Sequence, residues 1–254
     1  MYYNQFKYLH KGNKIMKGSL EKLGINIQNL SIGYDKHIVL KNINLSAEYG
    51  SVLGIFGENG SGKTTLIRTL QTVIPKISGN AQIGGIELDK KNYSIIRKIC
   101  GSVFQVSEHD KGFPVLCKEV VMMARYGRKK IIERIDQKDL NIVTNAMKKT
   151  GILDLAEKPY SLISGGERQR VNLAQALALE PKILFLDEPN TFLDIEAEDT
   201  LIRLIKQLAR EGITIILVSH SNHFMKQVAN NVAIIENNTI KKILNITEFS
   251  EKYS

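Results

Sequence analysis

With 254 residues and 43% hydrophobic side chains, the chain is long enough to bury a full core as one large domain or one domain with an insertion, so a fibrous or low-complexity protein is excluded. Its longest apolar runs, "ILFL" at 183–186 and "IILV" at 215–218, fall far short of the roughly 20 residues of a membrane helix, and two cysteines, Cys100 and Cys117, make neither a disulfide framework nor a CxxC metal pair. The net charge of +9 suits nucleic acid, anionic lipid or a nucleotide alike and does not choose among them.

Residues 1–24 carry Lys7, Lys11, Lys14, Lys17 and Lys22 against Glu21 alone, with no helical or strand period. They read as a basic, solvated and poorly ordered extension. "MYYNQFKYLHKGNK" is interrupted by polar residues throughout, unlike a secretory signal, and a reducing cytosol is the expected compartment. Residues 25–30 and 51–56 predict short strands. After Gly62 the period changes to that of a helix, with Leu66, Leu70, Val73 and Ile74 on one face. "SGNAQIGGIELD", 78–89, predicts a hairpin turning at Gly84-Gly85. Residues 115–180 are mostly helical in pattern, with helices expected over 118–127, 139–151 and 166–180. "KILFLDEP" and "ITIILVSH" predict buried parallel strands ending in polar residues, joined by a crossover helix at 196–212 that Gly212 closes.

"GENGSGKT", 57–64, matches G-x-x-x-x-G-K-[ST] between a strand and a helix, the context in which this loop cradles phosphate. Gly57, Glu58, Asn59, Gly60, Ser61, Gly62 and Thr65 supply backbone N–H groups, Lys63 reaches the β- and γ-phosphates, and the Thr64 hydroxyl joins Asp187 on Mg²⁺. Glu188 follows Asp187 on an extended chain and points elsewhere, as a residue that polarises an attacking water would. His220, at the end of the second buried strand, is a candidate γ-phosphate sensor.

"LISGGERQR", 162–170, is a formal capping box, with Ser164 and Glu167 flanking a helix start. Capping does not account for Gly165 and Gly166, each costing up to about 1 kcal/mol in a first turn relative to alanine. Bare backbone there admits an anion to the helix N-terminus. Because the loop at 57–64 already surrounds one γ-phosphate, the second anion site serves another copy's nucleotide, and a head-to-tail homodimer is expected.

"ISGGERQR", "ILFLDEP", the phosphate loop and "SH" in this order resemble the nucleotide-binding subunit of an ABC transporter, from Ile25 to the C-terminus. The resemblance implies an α/β P-loop NTPase of ABC type: a mostly parallel core sheet, an N-terminal antiparallel β subdomain, and an α-helical subdomain inserted at about 106–175. It further implies an ATPase using ATP and Mg²⁺, with Tyr34 stacking on adenine and Gln105 touching Mg²⁺ and taking part in catalysis. Asp194 is then the D-loop aspartate, Glu188 the catalytic carboxylate, His220 the switch histidine, and Ser164–Glu167 closes on the partner's phosphate loop. Glu58, Ile163 and Glu167 depart from the commoner proline, leucine and glutamine of the family while leaving the backbone cradle intact.

The implied partners are a membrane permease whose coupling helix docks near 105–130, a second copy, and, indirectly, an extracytoplasmic binding protein; nucleic acid is not among them. The chain would then lie on the inner face of the cell membrane. "GFPVLCKEVVMMARYGR", 112–128, resembles importers of manganese, zinc and related metals, and "DEPNTFLD" leans toward iron–siderophore importers. Val120, Met122 and Met123 are also expected to form the core face of a helix. The alternative is a soluble ABC ATPase of iron–sulfur cluster assembly, a family that tends to read FQYP where this chain reads "FQVSEHD". The interval from Lys63 to Ser164 holds no heptad arms of the kind a chromosome-organising ATPase requires.

Overall fold

The computed structural model describes residues 23–35, 37–104, 115–129, 133–191 and 193–253. The basic extension through residue 22, Gln105, and the "FP" of the cargo-like stretch lie outside them.

Two sheets form the frame. The first is antiparallel in the order β2-β1-β4-β5, built from β1 (Leu23–Tyr34), β2 (His37–Glu48), β4 (Lys76–Ile83) and β5 (Ile86–Glu87). The second runs β10-β9-β3-β8-β7-β6, from β3 (Val52–Gly57), β6 (Cys100–Val103), β7 (Ile183–Asp187), β8 (Thr214–Val218), β9 (Asn231–Glu236) and β10 (Thr239–Asn245). Every pairing in it is parallel except β9 with β10. The expected hairpin turn is present: Gly84 and Gly85 both have positive φ (60° and 75°), which a two-residue turn matching strand twist requires.

The apolar runs of β7 and β8 are explained by a core on each face of the parallel sheet. Leu184, Leu186, Ile215 and Leu217 enter one core with the helices, while Ile183, Phe185, Ile216 and Val218 enter the other with the antiparallel sheet. Successive side chains point oppositely, so a strand covered on both sides must be apolar throughout.

The helices are α1 (Lys63–Leu70), α2 (Tyr93–Ile99), α3 (Cys117–Tyr126), α4 (Gln137–Lys149), α5 (Gly165–Ala178), α6 (Ile195–Arg210), α7 (Asn222–Val228) and α8 (Ile246–Lys252). Two expectations need correction. Val73 and Ile74 lie beyond α1, which stops because Thr72 turns left-handed (φ 65°), Val73 N–H donates back to Arg68 O at 2.9 Å, and Pro75 cannot continue a helix. Of Val120, Met122 and Met123, only Val120 lies on the buried face of α3, with Cys117, Val121 and Ala124; Met122 is partly buried and Met123 is exposed, because the helical period turns both away from the centre of that face. Burial pushes the Cys100 thiol up to about 12, so it is an inert core side chain.

The two arginines of "RYGR" are engaged inside the helical block. Arg125, buried at 7% exposure, bonds Asp139 Oδ1 at 2.9 Å, Ala178 O at 2.8 Å and Glu180 Oε2 at 3.1 Å. Arg128 donates to Leu179 O, and Lys129 bridges Asp136 at 3.0 Å and Asp139 at 2.6 Å. Burial opposes ionisation of Asp139, yet its bonds from Lys129, the Asp136 backbone and Arg125 outweigh that and hold its carboxyl well below the usual range. The stabilisation from this group is therefore complete at neutral pH and lost in acid as the carboxylate takes up a proton. Arg125→Ala leaves Asp139 buried without its guanidinium and is expected to cost roughly 3–5 kcal/mol in urea unfolding; a loss below about 1 kcal/mol would contradict the buried-pair account.

Candidate active site

Strands β3, β7 and β8 are parallel and adjacent in the order β3-β8-β7, so their carboxyl ends deliver the loop at 57–62, the pair Asp187-Glu188, and Ser219-His220 to one edge of the sheet. Asn59, Gly60, Gly62, Lys63, Thr64, Thr65, Asp187 and Glu188 border a single cleft of about 350 Å³ there. The loop turns into α1 through Gly62, whose φ is 101° and where a Cβ would stand 2.8 Å from Val39 and 2.9 Å from Leu40. Only glycine meets both demands.

Lys63 is buried, and its ammonium donates to the carbonyls of Gly57 and Glu58, each at 2.8 Å. Two of its three donors are thus held by the loop it closes. Burial lowers its pKa, while Glu188 and Asp187 pull it back up. Ser61 Oγ is buried and has no hydrogen-bond partner, an orphan that a phosphate oxygen would satisfy.

Thr64 Oγ1 donates to Asp187 Oδ2 at 3.1 Å. Burial raises the Asp187 pKa; the Thr64 bond and Lys63 oppose the rise, and the Glu188 charge adds to it. A hydroxyl and a carboxylate brought together beside a phosphate loop form the hard-oxygen set that Mg²⁺ takes, one or two protein ligands with the rest phosphate and water.

Glu188 has φ 51°, a left-handed conformation uncommon for a non-glycine residue, and its N–H donates to Val218 O at 2.9 Å. His220 Nδ1 lies 2.8 Å from Glu188 Oε2. The two residues expected to act on the γ-phosphate are therefore in direct contact, although the imidazole is largely exposed.

Tyr34 is exposed at the end of β1, on the same hairpin as Val39, which borders the cleft. Ser164, Gly165, Gly166 and Glu167 start α5 and do not line that cleft. Ser164 Oγ accepts from Glu167 N–H at 3.2 Å, Glu167 Oε2 accepts from Ser164 N–H at 2.7 Å, and these bonds lower the Glu167 pKa. Asp194 caps α6, accepting from Ala197 N–H at 2.8 Å. Gln105, expected on Mg²⁺, falls outside the described residues.

Sequence reasoning passed over three polar side chains that fix the Glu188 loop. Ser219 donates to Asn190 Oδ1 at 3.0 Å, Asn190 donates to Glu198 at 3.1 Å, and Gln169 donates to Pro189 O. Their only signal was position: "RQR" after the glycine pair, "DEPN" after the strand, and the serine of "SH".

A model of the ABC transporter family matches residues 40–191. The chain belongs to the ABC transporter family. Among its relatives, the manganese transport system ATP-binding protein MntB of Bacillus subtilis is 36% identical over 196 residues, covering 77% of this chain and 76% of that one. The iron(3+)-hydroxamate import ATP-binding protein FhuC of the same organism is 29% identical over 219 residues, covering 86% and 81%. The solved structure of CbiO1 from Clostridium perfringens, part of the ABC transporter complex CbiONQ, superposes with a TM-score of 0.80 at 28% identity, over 91% of this chain and 92% of that one. As an ABC ATPase the chain binds nucleotide. No helix among the described residues is long and apolar enough to cross a membrane.

Proposed function

We propose that this ABC ATPase drives an importer of a transition-metal ion or metal chelate, working in two copies beneath a separate permease. The supporting observation is the meeting of Lys63, Thr64, Asp187, Glu188 and His220 at the carboxyl edge of β3, β7 and β8. Lys63 and the amides of Gly57–Thr65 bind the β- and γ-phosphates, and Tyr34 offers its ring to adenine. Thr64 and Asp187 would hold Mg²⁺ and Gln105 would reach it; bound there, the ion would neutralise charge on the phosphate oxygens.

Glu188 orients a water and takes its proton as the water oxygen bonds the γ-phosphorus and the bond to the ADP oxygen breaks, giving ADP and phosphate. With Nδ1–H donated to Glu188, His220 has a second N–H at Nε2 only as imidazolium, and that form presents a charged donor to the phosphoryl oxygen. Ser164–Glu167 of one copy closes the other copy's site, and Asp194 faces the same seam. Loss of the γ-phosphate removes contacts from both faces, so the pair opens and the permease follows.

The domain plan that accompanies this reading is a basic extension at 1–24 and an ATPase domain at 25–254 with the helical block at about 106–175 inserted. The permease docks near 105–130, the chain is peripheral on the cytoplasmic face, and an extracytoplasmic binding protein delivers the cargo. Likeness to a manganese transport protein and an iron–hydroxamate import protein favours transport over iron–sulfur assembly. A tagged chain purified from detergent-dissolved membranes is expected to bring down an integral membrane protein; recovery of scaffold proteins with no permease would overturn the transport reading.

A further inference from the structure

The loop carrying Glu188 is tied down from three directions. Glu188 N–H bonds Val218 O at 2.9 Å on the sheet side, and Asn190 is shared between Ser219 at 3.0 Å and Glu198 at 3.1 Å. The third tie comes from the helical block, where buried Gln169 donates from Nε2 to the carbonyl of Pro189, the residue bonded covalently to Glu188.

Gln169 stands only four residues beyond Gly165, about 6 Å along the same helix. The capping box fixes the first turn of α5, and Val171, Leu173, Ala174 and Leu177 are buried, so the turn at Ser164–Glu167 and the Gln169 side chain move as one piece. Beside the bond lies a cavity of about 150 Å³ bordered by Leu173, Leu193, Ala197 and Leu201. Leu173 and Leu201 also meet in the core with Leu193 packed against it, and the Gln169–Pro189 hydrogen bond adds a directional tie to that packing.

We propose that Gln169 is a positioning residue joining the two nucleotide sites of a pair: what the Ser164–Glu167 turn grips on the partner copy sets, through the Gln169–Pro189 bond, the attitude of Glu188 in its own copy. This rests on the two-copy reading above. It makes hydrolysis in each site answer to occupancy of the other.

The test is steady-state ATPase of the full chain over a range of ATP concentrations, with Gln169→Leu removing the donor at similar volume and Gln169→Met as a second variant should the first fold poorly. The expected result is kcat reduced about 10-fold or more and a Hill coefficient falling to about one, with the Kd for ATP within about twofold of the unmutated chain. The Glu188→Gln and Glu188→Gln/Gln169→Leu chains should pair equally in ATP. Unchanged kcat and Hill coefficient overturn the inference, as does a loss of turnover matched by loss of ATP affinity and pairing, the mark of general structural damage. A Hill coefficient of one in the unmutated chain, with Glu188→Gln remaining monomeric, would instead overturn the two-copy reading itself.

Discussion

Glu188→Gln is expected to cut ATP turnover by about 10²- to 10⁴-fold, the range of a positioned general base, while leaving ATP binding intact. The amide keeps the shape of the carboxylate and can still accept from His220 Nδ1, now at 2.8 Å from Glu188 Oε2. It cannot take a proton from water. Removing this negative charge also lessens repulsion toward the incoming γ-phosphate, because Glu188 is one of the two carboxylates whose field acts on Lys63. The variant should therefore bind nucleotide at least as well as the native chain and accumulate as a closed pair, read by size-exclusion chromatography in saturating ATP and magnesium. Turnover equally slow in both chains would remove the assigned role of Glu188, and a strictly monomeric variant would remove the shared-site geometry.

The second large effect is expected at Lys63. Lys63→Ala deletes the buried ammonium bordering the cleft and with it one charge-assisted bond to phosphate worth about 1.5–3 kcal/mol, so ATP affinity should fall roughly 10- to 150-fold. The carbonyls of Gly57 and Glu58, both at 2.8 Å from its Nζ, lose their donor together, and the loop is then less well shaped for phosphate. Titration with a fluorescent ATP analogue measures this directly. An affinity within about twofold of the native chain would mean that the loop amides alone hold the phosphates.

Much of the machinery was legible because its parts are contiguous. The phosphate loop announces itself by glycines between a strand and a helix, and β7 and β8 by unbroken apolar runs that a two-sided core demands. Helices α3, α4 and α5 fall within two residues of the predicted bounds, since their caps, Asp136 for α4 and Ser164 for α5, are local chemistry. β2 escaped notice although Ile43, Leu45 and Ala47 alternate inward, because its first half lacks the period and Asn42 interrupts it with φ 50°. The short elements β6, α2, α7 and α8 carry too few residues for any period to register. Contacts such as Glu188 with His220, 32 residues apart, and Gln169 with Pro189, 20 apart, follow from strand order and helix placement, which no local pattern encodes.

The buried guanidinium of Arg125 changes what similarity in "RYGR" signifies. Its bonds to Asp139, Ala178 and Glu180, together with the tie from Arg128 to Leu179, rivet three helices into one plate. Likeness in that motif therefore reports first on how the helical block is held together. Met123 and Tyr126, on the same helix, face outward and take no part in the rivet, so their replacement leaves it in place.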